Sequence, residues 1–219
     1  IPTPPASSIA PSTHPNPLPQ PRKHPLRPGG PKESELISYL DRVLDAVRYK
    51  VRHKSWDGAG RRSAQKDKDK GNGEGKGEGY KAFSEAAKDL EGVVDVIWVS
   101  GSPNLQTPYL LTVCSVLVDS LPLFTHPSSN PNSSHTIFSL IDKLDFAFSS
   151  LLTGRDPDTN TPLPGFEDGR SVSSTERVRI KSTVERVRVV VLRALDNEGE
   201  DGDDGDGMRE VSEGSGEEA

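Results

Sequence analysis

Apolar side chains recur at helical spacing in five separate stretches of the chain, and this periodicity is the strongest limit on how the sequence folds. Pro, Gly, Ser and Asn dominate the segments between these stretches, which is typical of turns and loops. The short run VVDVIWV is apolar enough for a strand, but the spacing before it favours a helix that becomes fully buried. The predicted helices cover residues 33–54, 80–100, 103–121, 134–153 and 173–195. The sequence therefore predicts an all-α fold, a bundle of about five helices.

Three of the predicted helices carry recognisable boundary signals. Pro103 suits a first helical turn, where its missing N–H would be unsatisfied in any case. Gly154 is well placed to end the fourth helix. Ser173 and Glu176 match the S-x-x-E capping box, in which the two side chains satisfy free backbone N–H groups. These signals fix the predicted ends of the third, fourth and fifth helices.

Three other segments are too poor in apolar residues, or too rich in Pro and Gly, to join a packed core. Residues 1–32 form a Pro-rich arm; an SH3 or WW ligand is one interpretation, and a solvated leader is the simpler one. Residues 55–79 are rich in Gly and Lys, and residues 196–219 are acidic. The sequence predicts that all three are disordered, so that residues 33–195 make the helical domain around the 55–79 insertion.

Charge is divided unevenly along the chain. The net charge is −6, but the tail 196–219 holds eleven acidic residues and one arginine, which leaves the rest of the chain at +4. No run of eighteen apolar residues is present, so no membrane span is expected. One cysteine, Cys114, excludes an internal disulfide and fits a reducing compartment.

The residue types that usually carry catalysis or bind metals do not form a known pattern. No histidine has a second histidine or cysteine three or four residues away, as is typical of a zinc site; the five are His14, His24, His53, His126 and His135. Cys114 lies among apolar residues, so a buried, inert thiol is expected rather than a nucleophile. Asp142 and Asp145, one helical turn apart, are best explained as a solvated flank, and the tail lacks calcium-loop spacing. We therefore expect no catalytic residue, metal, cofactor or small-molecule substrate.

The fifth helix combines an apolar stripe with two rows of cations. The predicted buried stripe consists of Ile180, Val184, Val187, Val191 and Leu195. One border carries Arg179, Arg186 and Arg193, and the other carries Arg177, Lys181 and Arg188. Their stems can cover the edges of the core while their charges stay in water. Alternatively, the cations bind a partner: an acidic protein, or less favourably nucleic acid, since the helix has no aromatic ring for base stacking.

Three segments together resemble a known family. They are GYKAFSEAAKDLEGVVDVIWVSGS, then LIDKLDFAFSSLLTGRD with LPGF over residues 140–166, then VSSTERVRIKSTVERVRVVV over residues 172–191. In this order they resemble a fungal accessory subunit of the general transcription factor TFIIH, the sixth of the TFB series. The resemblance covers the helical core, residues 33–195, and leaves out the tails.

The resemblance implies a non-enzymatic nuclear protein that acts in transcription initiation. Such a subunit would bind the XPB-type helicase of TFIIH and promote its dissociation. No binding residues are carried over from the family, so the six cations of the fifth helix remain a prediction from this sequence. The alternative is a helical module that binds nucleic acid through the same basic helix.

Overall fold

The computed structural model describes residues 17–53, 79–124, 132–167, 169 and 171–196, except for the side chains of 132–134, 195 and 196. Within them the chain forms five α-helices and one short 3-10 helix, and no strand. The helices are α1 (Pro31–Arg52), α2 (Phe83–Val99), α3 (Pro103–Ser120), the 3-10 helix Leu121–Phe124, α4 (Asn132–Thr153) and α5 (Ser174–Asp196). The prediction of an all-α fold with five helices is confirmed. The 55–78 part of the insertion and the tail from residue 197 lie outside the described residues.

Helix α3 is the centre of the bundle. It packs against α1, α2, α4 and α5, and its buried side chains cover most of its circumference, with Asn104, Pro108 and Asp119 exposed on the remaining side. Leu110, Val113 and Leu117 are fully buried. A helix with so broad a buried surface needs several neighbours to cover it, and the other four helices supply that cover.

The same composition makes α3 the one described segment that is long and apolar enough to cross a membrane. An 18-residue window within Pro103–Phe124 has a mean hydropathy of 1.4, although the sequence contains no unbroken apolar run of that length. Half of that window is buried inside the bundle. The packing of α3 against four other helices accounts for its composition.

Residues 17–30 pack against the bundle, whereas the sequence analysis assigned them to a disordered arm. Leu18 and Leu26 are buried, and the Arg22 N–H donates to the Val99 carbonyl at 3.2 Å. The Leu26 N–H donates to the Ser102 hydroxyl at 2.7 Å. Proline-rich sequence excludes helix and central strand, but two apolar anchors and these hydrogen bonds order an extended segment without either. Residues 1–16 lie outside the described part of the chain.

Helix α2 begins at Phe83, three residues after the predicted start. Tyr80 instead joins two other elements: its N–H donates to the Lys50 carbonyl near the end of α1 at 3.3 Å, and its hydroxyl donates to Asp89 at 2.5 Å. Its ring is buried. Tyr80 therefore connects the start of α2 to the end of α1.

The loop between α4 and α5 packs back over the bundle through its own apolar residues. Leu163 and Phe166, the two anchors expected from the sequence, are both buried. Gly154 ends α4 at φ +68°. The Arg155 N–H donates to the Ser150 carbonyl and the Gly154 N–H to the Leu151 carbonyl, the two bonds of a Schellman motif. The predicted helix stop and loop anchors are confirmed.

Candidate partner-binding face of the last helix

The start of α5 is set by the capping box that the sequence predicted. The Glu176 N–H donates to the Ser173 hydroxyl at 3.2 Å, and the Ser173 N–H donates to the Glu176 carboxylate at 3.0 Å. The Ser173 hydroxyl also donates to that carboxylate at 2.7 Å. Because each residue caps the other, these hydrogen bonds define where α5 begins and therefore which side chains lie on each of its faces.

One face of α5 packs against α3, α4 and the 3-10 helix. Ile180, Val187 and Val191 are buried there as predicted, and Ala194 joins them. Val184 was predicted to be buried, but 41% of its surface is exposed. It lies at the edge of the buried face, where no neighbouring helix covers it completely. The side chain of Leu195 is outside the described set.

All six predicted partner-binding cations are exposed to solvent; they are Arg177, Arg179, Lys181, Arg186, Arg188 and Arg193. The Arg177 Nε donates to the Val172 carbonyl at 3.2 Å. The other five form no hydrogen bond or ion pair with any described residue. The structure therefore brings six cations onto the solvent half of one helix, and five of them make no polar contact with the described part of the fold.

Between the two rows of cations lies an apolar strip that the sequence analysis did not identify. It consists of Val178, Val189 and Leu192, whose exposed fractions are 69%, 45% and 54%. They share one side of the helix, opposite the buried face, because their separations of 11 and 14 residues are close to whole numbers of turns. That spacing was visible in the sequence, but α5 was interpreted as having a single apolar stripe. Helix α5 therefore also carries exposed apolar residues on the side opposite its buried face.

Three residues were considered as candidates for catalysis or metal binding: Cys114, Asp142 and Asp145. Burial raises the pKa of the Cys114 thiol to about 12, so the thiol stays protonated and unreactive at neutral pH. Asp142 and Asp145 are exposed, while Lys143 between them turns toward Asp95 and Glu91 of α2. Among the described residues, no three His, Cys, Asp or Glu side chains group together to hold a metal ion.

A cavity of about 310 Å³ lies where α1, α3 and α5 begin, beside the end of the arm. Its wall includes two carboxylates, Glu33 and Glu176. Each of them accepts a hydrogen bond from a backbone N–H at a helix start: Gly29 for Glu33 and Ser173 for Glu176. Both carboxylates therefore act as helix caps at the wall of the cavity.

The chain was compared with protein families, curated proteins and solved structures. Residues 79–219 match the family model TFB6, described as subunit 11 of the general transcription factor TFIIH. The matched stretch includes α2 to α5 and the acidic tail, and leaves out the arm and α1. No curated protein and no solved structure matches the chain.

Proposed function

The chain belongs to the TFB6 family of TFIIH subunits, and from this membership we propose that it is a non-catalytic interaction subunit that binds the XPB-type helicase and promotes its dissociation. The family gives the chain a role in TFIIH-associated transcription and a partnership with that complex. Binding of the helicase, release of the helicase and a nuclear location are the steps that the proposal adds.

The proposal rests on the cations exposed on the solvent half of α5. None of its six cations has a charged partner among the described residues, although like charges along one helix repel each other. Arginine makes up most of the set, and its planar guanidinium pairs with carboxylates through two parallel hydrogen bonds. A partner with an acidic surface would relieve the repulsion and supply those acceptors.

The described residues contain little that would suit catalysis, which supports an interaction role. The thiol of Cys114 is buried and protonated, and the two carboxylates of the 310 Å³ cavity act as helix caps. Catalytic groups typically have shifted pKa values in an open cleft, where substrate can reach them. The shifted groups here are a buried thiol and two tyrosines bonded to carboxylates.

A subunit that releases the helicase by binding alone must bind the free helicase more tightly than the helicase held in TFIIH. The ratio of the two affinities sets how far the equilibrium moves. Equal affinity for both states would produce a complex without any release. The proposal therefore requires two affinities to be measured, one for each state of the helicase.

Nucleic acid is the alternative ligand for the same six cations. Duplex or single-stranded DNA would satisfy their charges, and its affinity would fall steeply with salt. However, the strip between the cations is aliphatic, and α5 contains no aromatic side chain on which a base could stack. The exposed Val178, Val189 and Leu192 would gain little from a sugar–phosphate backbone, so a protein partner fits this face better.

The test immobilises TFIIH through a subunit other than the helicase and adds the full chain. We expect the helicase to appear in the supernatant together with the chain. Arg179→Glu, Arg186→Glu and Arg193→Glu combined should reduce both binding and release at least tenfold. The matched control reverses three exposed cations elsewhere, Lys23→Glu, Arg27→Glu and Lys88→Glu, which changes the net charge equally.

Two results would count against the proposal. If the chain neither binds the isolated helicase nor releases it from TFIIH, the proposed function is wrong. If the α5 triple variant and the control behave alike, the function stands but its interface lies elsewhere.

A further inference from the structure

The solvent side of α5 has the heptad pattern of a coiled-coil seam. With Val178 at position d, the a and d positions that follow are Ser182, Glu185, Val189 and Leu192. All five are exposed, and we call them the outward seam. Three of the five are apolar. The outward seam is about 21 Å long, from the rise of an α-helix per residue.

Both flanks of the outward seam are basic in this register. Every e position is an arginine: Arg179, Arg186 and Arg193. The two g positions inside the seam are Lys181 and Arg188. Residues at e and g sit beside the seam in a coiled coil, where their charges determine which helix pairs with it. The described helix therefore presents a seam of three apolar residues, Ser182 and Glu185, flanked by five cations and no acid.

We propose that the outward seam binds one helix of a partner protein, with apolar residues at its own a and d positions and acidic residues at its e and g positions. That the partner is a component of TFIIH rests on the proposed function. The pattern of apolar and acidic residues on the partner helix does not depend on it. A basic or polar residue of the partner faces Glu185, since a carboxylate in the seam would otherwise be desolvated without a partner. That pairing fixes the register of the two helices.

A second copy of this chain does not fit the outward seam. In a parallel pair, g residues face e residues of the other helix; in an antiparallel pair, e faces e and g faces g. Both arrangements would bring arginines and lysines of two copies together. The repulsion of like charges excludes self-pairing at this face and favours an acidic partner.

The acidic tail of the chain itself is a poorer occupant than a partner helix. Residues 196–219 supply many carboxylates but also contain six glycines, and each glycine costs about 1 kcal/mol in a helix interior. Met208 and Val211 are the large apolar residues in the tail. The tail can satisfy charge on the basic flanks, but it does not offer the repeating apolar residues that the outward seam would bury.

The test uses two synthetic 21-residue helical peptides and the full chain. One peptide has leucine at every a and d position except for a single lysine placed opposite Glu185, and glutamate at every e and g position. The other is identical except for lysine at e and g. Fluorescence anisotropy of labelled peptide measures the affinity. We expect the acidic peptide to bind, and the basic peptide to bind at least a hundredfold more weakly.

The apolar part of the seam is tested with Val189→Gln and Leu192→Gln combined. Glutamine favours helix and carries no charge, and both positions are exposed, so the fold is retained and the electrostatics are unchanged. We expect at least a tenfold loss of affinity for the acidic peptide. The matched control is Phe138→Gln on α4, an apolar residue that is 47% exposed and outside the seam. It should leave the affinity unchanged.

Three outcomes overturn the inference. The first is failure of the acidic peptide to bind the full chain. The second is equal affinity of the seam variant and the unmodified chain, because the face would then recognise charge without a seam. The third is displacement of the peptide by a 20-base-pair DNA duplex, together with equal affinity of the duplex for the seam variant and for the unmodified chain. That result would make α5 a nucleic-acid site.

Failure of this inference and failure of the proposed function give different results. If the helicase binds the chain and the seam variant alike, the chain acts on the helicase through another surface. If the helicase does not bind but the acidic peptide does, with the expected dependence on Val189 and Leu192, the outward seam serves a different acidic helix.

Discussion

The ammonium of Lys143 lies 2.8 Å from both carboxylate oxygens of Asp95 and joins α4 to α2. Glu91, one turn earlier on α2, is 3.8 Å from the same ammonium. The side chain of Lys143 is only 14% exposed, so the pair is partly shielded from water. This contact supports the most extensive helix–helix packing in the bundle, that of α2 against α4.

Replacing Lys143 with alanine should lower the free energy of unfolding by about 1–2 kcal/mol, because Asp95 would lose a charged partner in a partly buried place. Urea denaturation measures the change. A double-mutant cycle with Asp95→Ala should give a coupling energy of similar size. The exposed pair Arg48–Asp45 on α1, at 3.2 Å, is the comparison and should show coupling below about 0.5 kcal/mol. Equal coupling in the two pairs would contradict the role given to shielding.

Gly154→Ala should destabilise the protein more than Gly29→Ala. Both glycines have φ near +70°, where an L residue costs about 1–2 kcal/mol. A Cβ on Gly154 would lie 2.9 Å from the Phe166 ring, whereas a Cβ on Gly29 would meet no described atom within 4 Å. Thermal unfolding of the two variants separates the contact with Phe166 from the backbone strain. Equal losses would mean that Phe166 moves aside without cost.

Stability should fall as the pH rises above about 9. Burial raises the pKa of Cys114 from 9.0 to about 12, so between these values the unfolded chain loses this proton while the folded chain keeps it. Desolvation, strengthened by hydrogen bonds to Asp89 and Asp41 respectively, raises the pKa values of Tyr80 and Tyr109 and acts in the same direction. Cys114→Ala should flatten the decline measured by urea denaturation between pH 9 and 11. An identical pH dependence in that variant would exclude the thiol as a cause.

Ser102→Ala should loosen the arm from the bundle. The Ser102 hydroxyl accepts the Leu26 N–H in a buried place, and its loss leaves that N–H unsatisfied at a cost of about 1–3 kcal/mol. We expect faster amide hydrogen exchange at Leu26 and Arg22, and faster proteolysis between residues 19 and 28. Ser38→Ala, an exposed serine on α1 whose hydroxyl bonds its own helix, is the control and should change neither. Unchanged exchange at Leu26 in the Ser102 variant would show that the apolar anchors hold the arm without this bond.

Much of the helical framework could be predicted because local chemistry determines it. The Ser173–Glu176 box and Gly154 act within one or two turns, so their roles are visible in a short window of sequence. The packing of residues 17–30 was missed because it depends on Val99 and Ser102, which are more than seventy residues away. The contact of Lys143 with Asp95 was missed for the same reason.

The six cations of α5 were identified from sequence, and the structure shows that all are exposed. What sequence periodicity did not reveal is how completely each residue of the predicted buried stripe is covered. Val184 and Val187 are the same residue type on that stripe, yet 41% of Val184 and 8% of Val187 is exposed, because the positions of α3 and α4 decide how much of each is covered. Whether the cations bind a partner stays a prediction.

The family-matched stretch begins at residue 79, yet α1 contributes Leu40 and Leu44, which are 0% and 1% exposed, to the shared core. A recombinant fragment cut at the edge of the match would leave α2 and α3 with an uncovered apolar wall, and we expect such a fragment to aggregate. The boundaries of the family match are therefore unsuitable as the boundaries of an expressed fragment of this protein. A relative without α1 would need another element to cover the same side of the bundle, either from its own chain or from a protein bound to it.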